Sequence, residues 1–396
     1  MLFKKNFFIA MFDTHCAAVA LCYSLNNSSG GTFHMNLHIV AAACAATCLT
    51  LAAPCRAQQA APPAVRIPST PTTVVRGVIP ANVPPIMRVQ QGQLVTIDTL
   101  SHQGVSTGDD PITFFARGGI KSEEVLKDAI DVYGRVKLQP GMGTHVLTGP
   151  VYIEGAEPGD LLEVRVIDVK FRVPYGVNAT NKGSGVLPDL LSDPVFRIIR
   201  LDLERNVALF TPEIEVPLAP FMGIMAVAPP ADQATVSSRP PGIFGGNLDL
   251  KQLTRGSTLY LPVFNAGALF FTGDAHATQG DGEVDGTAIE TSLTPTFQFI
   301  VHKAKGKNLN WPRAETPTHY ITMGVDRDLN IAMKAATQEA VNFLMQEKSL
   351  SARDAYQLAS IAVDFRVAEA VNLNQMVYGM IPKNVFKKSE IGRAHV

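Results

Sequence analysis

Apolar and polar residues alternate along much of the chain, and this period-two pattern predicts β-strands. The segments "GQLVTIDTL" (residues 92–100) and "GDLLEVRVIDVKF" (159–171) each begin at a glycine and then place apolar residues at every second position, which is typical of a strand with one buried face. Similar runs are "PVFRIIRLDL", "RNVALFTP", "GIMAVAP", "STLYLPVF", "ALFFTGDAHA", "TSLTPTFQFIVHK" and "HYITMGV". Because Pro, Gly and Asp clusters separate these runs, the sequence predicts a mainly β fold, a jelly-roll-like β-sandwich with additional β structure.

Helical periodicity appears late in the chain. It covers Arg327 to Lys348, and a second helix is predicted to begin at Ser351, with Asp354 completing a capping box. A shorter helix, Ser122 to Tyr133, is expected in a connection between strands. The fold class is therefore mainly β with two C-terminal helices.

The N-terminal region has the features of a secretory leader. Residues 1–57 contain an apolar run that is too short to span a membrane in the mature protein, followed by Ala57 before a polar Gln pair. We expect cleavage after Ala57, with Met35 as an alternative start, and a mature protein that is secreted or periplasmic. A buried N-terminal helix and a lipid anchor on Cys55 are the alternatives. Residues 58–88 are predicted to be a Pro-rich linker.

One domain is predicted over residues 89–386, followed by a charged tail of uncertain origin over 387–396. The formal net charge of -1 and the pI near 6.8 provide no basic surface for a polyanion, so no nucleic-acid partner is expected. All five cysteines precede residue 56. Removal of the leader would therefore exclude cysteine nucleophiles, thiolate zinc sites and disulfides in the mature chain.

The stretch "GDAHATQGDGEVDGTAIE" (residues 273–290) is rich in carboxylates and poor in large side chains. Asp274 and His276 are two residues apart, so in a strand both side chains leave from the same face. A histidine nitrogen with carboxylate oxygens suits a divalent ion, zinc above all and calcium as an alternative. Glycines on either side of Asp281 allow it and Glu283 to turn back toward the same point. On spacing alone, a plain turn explains the segment equally well.

Two other places combine residues of ligand type. In "TIDTLSHQG", Asp98 is in a predicted strand and His102 lies just beyond it. In "HVLTGPVYIEGAEPGD", Glu154 is near a strand end, where a functional carboxylate and a solvated one are both compatible with the pattern. Glu157 fits a solvated turn better, and His145 fits a surface or hydrogen-bonded core histidine.

Four blocks of sequence resemble successive blocks of the acetamidase/formamidase family. They are "TGPVYIEGAEPGD", "PEIEVPLAPFMGIMAVAP", "GGNLDLKQLTRGSTLYLPVFNAGALFFTGDAHATQGDGEVDGTAIE" and "DAYQLASIAVDFRVAEAVN", and the similarity runs in order from about Val89 to Pro382. The resemblance implies hydrolysis of short linear amides to a carboxylate and ammonia by a mainly β, homo-oligomeric protein. The family's acidic and histidine positions fall on Glu154, Glu157, Asp274, His276, Asp281 and Glu283. Asp285, where many relatives have cysteine, is a departure that bears on substrate choice.

The hypothesis that follows is amide hydrolysis by an activated water molecule. A divalent ion held by His276, Asp274 and one more carboxylate or His102 would polarise the carbonyl, and a carboxylate would transfer the proton. The candidates are Glu154, Glu283 and Asp281 for catalysis, and Asp274, His276, Asp98 and His102 for the metal. The alternatives are a secreted hydrolase of larger or cyclic amides or of esters, and a non-catalytic extracytoplasmic binding module.

Overall fold

The structure, a computed structural model, describes residues 63–387. The predicted leader, residues 58–62 of the predicted linker and residues 388–396 of the predicted tail lie outside this range. Within residues 63–387, no helix is long and apolar enough to cross a membrane.

Strands dominate the described residues. They are β1 Val65–Ile67, β2 Val74–Arg76, β3 Val78–Pro80, β4 Met87–Val89, β5 Leu94–Ile97, β6 Val146–Ile153, β7 Leu161–Phe171, β8 Tyr175–Thr180, β9 Val195–Asp202, β10 Val207–Thr211 and β11 Ile214–Pro217. The remaining strands are β12 Phe221–Ala226, β13 Thr235–Ser237, β14 Gly245–Asn247, β15 Thr258–Pro262, β16 Phe270–His276, β17 Glu290–Thr291, β18 Leu293–His302, β19 Arg313–Glu315, β20 His319–Asp326, β21 Asp364–Asn372 and β22 Asn374–Pro382. The α-helices are α1 Pro111–Ala116, α2 Lys127–Arg135, α3 Leu329–Lys348 and α4 Ala352–Ala362.

Two large sheets enclose the main core. The first has the strand order β1-β5-β18-β7-β15-β19-β20-β22-β21, and the second has the path β11-β10-β9-β8-β17-β16-β12-β14, with β6 joining β16 to β2 and β4. Buried apolar residues from both sheets form one continuous cluster. Within it, the ring of Phe270 from the second sheet lies 5.4 Å from that of Phe297 and 5.0 Å from that of Phe299, both from the first. The predicted β-sandwich is confirmed.

The late helices also follow the prediction. α3 begins after the N-cap Asp328, and the hydroxyl of Ser351 accepts a hydrogen bond from the backbone N–H of Asp354 at the start of α4. α3 packs closely on β20, because a Cβ on Gly324 would lie 2.2 Å from the backbone nitrogen of Ala336. The predicted helix over Ser122 to Tyr133 differs: a 3-10 turn comes first, and α2 follows only at Lys127.

The predicted linker requires a correction. Within residues 58–88, the described part contains β1, β2, β3 and most of β4. β1 pairs in parallel with β5, and β2 pairs antiparallel with β6. Short runs of Val and Ile between the prolines provide the backbone donors and apolar side chains that these pairings need, so the folded unit begins well before residue 89.

Candidate functional site

Buried histidines and carboxylates from separate parts of the chain converge beside the second sheet, where β16 ends. We call this group the His–carboxylate cluster. Its members are His102, His145, Asp249, Asp274, His276, Glu283 and Glu290.

The central strand β16 sets the geometry of the cluster. It is buried along its whole length and carries both Asp274 and His276. Antiparallel pairing places His276 opposite Phe221 of β12 on one side and opposite Glu290 of β17 on the other. Neighbouring strands therefore deliver the second carboxylate to the histidine.

Asp274 is the common neighbour of three histidines. Its Oδ1 lies 3.4 Å from Nδ1 of His102, and its Oδ2 lies 3.7 Å from Nε2 of His145 and 3.4 Å from Nε2 of His276. Glu290 completes the arrangement, with Oε1 3.2 Å from Nε2 of His276 and Oε2 3.6 Å from Nδ1 of His102. The opposite side of the His276 ring faces Asp249, 3.9 Å from Nδ1 to Oδ1.

These separations fit ligands around a cation better than direct hydrogen bonds. Buried atoms without a hydrogen-bond partner among the described residues include Nδ1 of His102, Oδ1 of Asp274, both ring nitrogens of His276 and Oε2 of Glu290. Ligand bonds of about 2.0–2.2 Å to a tetrahedral zinc ion would put neighbouring ligand atoms roughly 3.3–3.6 Å apart.

Three overlapping triads have the composition of a metal site. They are His102–His145–Asp274, Asp274–His276–Glu290 and Asp249–His276–Glu283, and within each triad the ligand atoms all lie within 4.8 Å of one another. Mixed nitrogen and oxygen donors favour zinc, whereas calcium prefers oxygen alone. The residues present therefore fit a zinc-like cation.

Surrounding hydrogen bonds orient the ligand-type side chains. The side-chain amide nitrogen of Gln103 lies 2.9 Å from Nε2 of His102, and Ser238 Oγ lies 2.9 Å from Nδ1 of His145. Each contact leaves the other ring nitrogen facing Asp274. Partners of this kind fix the tautomer and orientation of a metal-binding histidine.

The cluster leaves no room for a side chain at Gly223 of β12. A Cβ there would lie 2.5 Å from Oδ1 of Asp249, 2.7 Å from Oδ2 of Asp274 and 2.8 Å from Cε1 of His276. Three members of the cluster thus pack directly against the backbone of Gly223, which has no side chain.

Three members of the cluster also have strained backbone conformations. Asp249, Asp274 and Glu283 have φ angles of 43°, 54° and 45°, a region that costs a non-glycine residue of order 1–3 kcal/mol. Such conformations persist where the surrounding structure enforces them, which is typical of functional sites.

Burial and mutual charge divide the carboxylates of the cluster. Burial raises the pKa of Glu283 well above its usual range, and the nearby charge of Asp249 adds to the shift. Burial, with the charge of Asp274, likewise raises the pKa of Asp249 to about 7. Burial would also raise the pKa of Asp274, but the charges of His145 and His276 outweigh it and hold that pKa well below its usual range. The cluster thus contains one carboxylate whose pKa is lowered, Asp274, and two carboxyls whose pKa is raised, Asp249 and Glu283.

The pKa values of the buried histidines are also shifted in opposite directions. Burial lowers the pKa of His145 to about 4, so its imidazole is neutral at physiological pH. Burial acts in the same direction on His276, but the charges of Glu290 and Asp274 reverse the shift and raise its pKa well above the usual value.

A cleft of about 490 Å³ gives access to the cluster. His102, His145, Asp274, Glu283 and Glu290 form its inner end, whereas His276 and Asp249 are not among the residues that line it. Pockets of this size accommodate small organic ligands.

Four of the residues predicted from sequence meet in the cluster: His102, Asp274, His276 and Glu283. The sequence reasoning did not select Asp249, His145 and Glu290. Glu290 belongs to the carboxylate-rich stretch, and Asp249 lies in the "GGNLDL" segment, so local composition provided a signal for both. For His145, the only signal in the sequence was its position just before a predicted strand.

The other predicted residues are engaged elsewhere. Glu154 accepts two hydrogen bonds from Arg88 at the protein surface, at 2.7 and 3.1 Å. Asp98 accepts hydrogen bonds from Arg66 and from the Thr294 hydroxyl. These contacts satisfy both carboxylates and place them outside the cluster.

Asp281 is also absent from the cluster. It accepts a hydrogen bond from the Tyr378 hydroxyl at 2.8 Å and lies 3.0 Å from the Lys251 ammonium. The adjacent residue Gly282 bridges to Glu369 of β21. Asp281 therefore anchors the loop to neighbouring elements, while Glu283 reaches the cleft.

Comparisons with known proteins support a family assignment. The profile described as the Acetamidase/Formamidase family matches residues 80–239 and 231–388. The acetamidase of Mycolicibacterium smegmatis is 28% identical over 200 residues, which is 36% of this chain and 49% of that protein. The formamidase of Methylophilus methylotrophus is 29% identical over 196 residues, 35% of this chain and 47% of that protein. The matched stretch spans about half the length of these curated relatives.

A solved structure extends the similarity over the whole fold. The crystal structure of an acetamidase from Bacillus halodurans superimposes with a TM-score of 0.68 at 28% sequence identity, covering 81% of this chain and 98% of that chain.

Proposed function

Because the chain belongs to the acetamidase/formamidase family, we propose that it hydrolyses short linear amides to a carboxylate and ammonia. The observation that carries the proposal is the convergence of His102, His145, Asp274, Glu283 and Glu290 at the inner end of one cleft. Buried polar atoms without partners are costly, and their concentration at the end of a cleft is typical of a catalytic site.

We further propose that the cluster holds a divalent cation, with zinc as the expected ion. His102, His145 and Asp274 would hold it at the cleft, with His276 and Glu290 against its inner side. Such an ion polarises a carbonyl oxygen and lowers the pKa of a water molecule.

The chain's own residues provide the remaining functions. Asn247 lines the cleft and is buried, and its Oδ1 has no partner among the described residues. It can accept a hydrogen bond from the substrate N–H₂ and orient the amide. The neutral His145 ring, held by Ser238, keeps its free nitrogen directed at Asp274.

Glu283 is the proposed proton-transfer group. It lines the cleft, and burial together with the charge of Asp249 raises the pKa of its carboxyl, which makes the carboxylate a stronger proton acceptor. As the water oxygen bonds to the carbonyl carbon and the C–N bond breaks, Glu283 would take the water proton and deliver one to the departing nitrogen. Glu154 could not do this from its surface ion pair with Arg88.

Metal analysis and ammonia release test the proposal together. We expect the purified protein to contain zinc and to release ammonia from formamide and acetamide, with loss of activity on chelation and recovery when zinc is added. Glu283→Gln should lower kcat by about 10²–10⁴-fold, the range for loss of general acid–base catalysis, while retaining the metal. Activity that survives both metal removal and Asp274→Asn would overturn the cation site but not the amidase. No ammonia from any amide would overturn the function itself.

Assembly and export are separate proposals. We expect a homo-oligomer, which light scattering on the purified protein tests, and cleavage after Ala57 on export, which N-terminal sequencing of the secreted material tests.

A further inference from the structure

The cleft contains a feature that the hydrolysis of formamide or acetamide would not use. Among the described residues that line it, Arg239 is the one lysine or arginine side chain. Within the part of the chain that the structure describes, its guanidinium donates one hydrogen bond, from Nη2 to the Val371 carbonyl at 3.3 Å. No carboxylate of residues 63–387 forms a salt bridge with Arg239 at 4.0 Å or less.

The backbone places Arg239 beside the catalytic end of the cleft. The preceding residue, Ser238, contacts His145, and a Cβ on Gly143 would lie only 3.0 Å from the Arg239 backbone nitrogen. Val371 adjoins Asn372, whose side-chain nitrogen donates to Oδ2 of Asp249 at 2.5 Å. Arg239 therefore connects two segments that each contact the His–carboxylate cluster: its own segment, through Ser238, and the Val371–Asn372 segment, through its hydrogen bond to Val371. Its own side chain is exposed.

The cleft is also larger than a two-carbon amide requires. Its volume is about 490 Å³, whereas the four non-hydrogen atoms of acetamide occupy roughly the space of four waters, on the order of 120 Å³. A substrate that filled the cleft would extend from the cluster toward the exposed entrance.

The wall of the cleft provides few competing charges. Of the described residues that line the cleft outside the cluster, Asp285 is the acidic one, and both its oxygens accept hydrogen bonds, from Asn178 and from the Thr287 backbone. The other polar residues of the described wall have uncharged Asn, Gln, Ser or Thr side chains, among them Asn181, Ser184 and Thr287. Among residues 63–387, a substrate group that reaches the entrance therefore meets one cation without a carboxylate partner, Arg239.

We propose that the preferred substrate is a linear amide with a carboxylate at the end remote from the amide, and that Arg239 binds this carboxylate. The proposal rests on the amidase function above and narrows it to ω-amido acids. A guanidinium forms paired hydrogen bonds with a carboxylate, which fixes both the distance and the orientation of the substrate. Hydrolysis would break the C–N bond, add the water oxygen to the acyl carbon, and release ammonia and a dicarboxylate.

Succinamate and 4-methylpentanamide form a matched substrate pair, because an isopropyl group replaces the carboxylate at equal size. We expect wild-type kcat/KM to favour succinamate by about tenfold or more, the factor that a good charge-assisted contact represents. Arg239→Gln should abolish this preference, mainly through KM, and Arg239→Lys should restore part of it. Arg353→Gln, at an exposed position on α4, is the control that should leave the preference intact.

The outcomes separate this proposal from the broader one. If Arg239→Gln lowers activity on both substrates equally, or on neither, Arg239 does not select the carboxylate. If acetamide is hydrolysed and succinamate is not, the substrate class is wrong and the amidase stands. If no amide is hydrolysed, the proposed function fails. Calorimetric titration with succinate then still tests the Arg239 site, because binding should be lost in Arg239→Gln, and binding that is equal in both proteins would overturn it.

Discussion

Gly223→Ala is the most specific test of the His–carboxylate cluster, because it adds one methyl group without changing any residue of the cluster. The φ angle of Gly223 lies outside the left-handed region, so alanine meets no backbone penalty there. The new Cβ would lie 2.5 Å from Oδ1 of Asp249 and 2.7 Å from Oδ2 of Asp274, whereas ordinary contact begins at 3.4 Å. The two carboxylates must therefore retreat by about 0.7–0.9 Å, more than the roughly 0.5 Å tolerance of a catalytic arrangement.

The expected result is a large loss of activity with a modest loss of stability. A displacement of about 1 Å costs about 10²-fold in rate, so kcat/KM for acetamide should fall by about that factor. Overpacking of this kind lowers the free energy of unfolding by about 1–3 kcal/mol, which urea denaturation measures. Zinc content and ammonia release should be determined on the same samples.

Gly134→Ala is the matched control. Gly134 lies in α2, outside the cleft, and no atom of residues 63–387 lies within 4 Å of its added Cβ. Alanine there should leave activity unchanged and raise stability by up to about 1 kcal/mol. If Gly223→Ala keeps wild-type kcat/KM and zinc content, the cluster is either not the catalytic site or not packed as described.

Two further predictions concern the rest of the fold. The hydrogen bond from Arg200 lowers the pKa of Glu124 from 4.5 to about 2, so this pair stabilises the folded state above pH 4.5 and loses that effect as the pH falls toward 2. Glu124→Gln should therefore reduce the free energy of unfolding at pH 7, and the difference from wild type should shrink on acidification; a difference that does not depend on pH would contradict the assignment. Ser351→Ala removes the N-cap of α4 and should lower the free energy of unfolding by about 1 kcal/mol in urea, with Ser192→Ala, at an exposed position, as a control that should have no measurable effect.

Local pattern was sufficient for the longer strands and for four of the seven members of the cluster. Period-two alternation identified β7 and β18, and the close spacing of Asp274 and His276 placed both on β16. The partners of β16 could not be predicted this way, because strand order depends on contacts between distant segments. Asp249 and His145 reach the cluster through those contacts.

Unpredicted strand pairing also explains why two of the candidate carboxylates lie outside the cluster. Glu154 follows the last residue of β6, and nothing in the sequence indicated an ion-pair partner for it. The parallel pairing of β4 with β6 brings Arg88 next to its carboxylate. Asp98 meets Arg66 through the parallel pairing of β1 with β5. Both cations come from the segment that its prolines had marked as a linker, so the same unpredicted strand pairings explain the strands in that segment and the position of these two carboxylates outside the cluster.

The pairing of β1 with β5 also bears on solubility. β1 forms one edge of the nine-stranded sheet, and it is only three residues long, with Arg66 pointing to solvent and Pro68 directly after it. Short edges that carry charge and proline discourage strands of other molecules from adding to a sheet. Removal of this segment would uncover the hydrogen-bonding edge of β5, so a shortened protein starting at residue 89 would be prone to aggregate even with every residue of the His–carboxylate cluster intact.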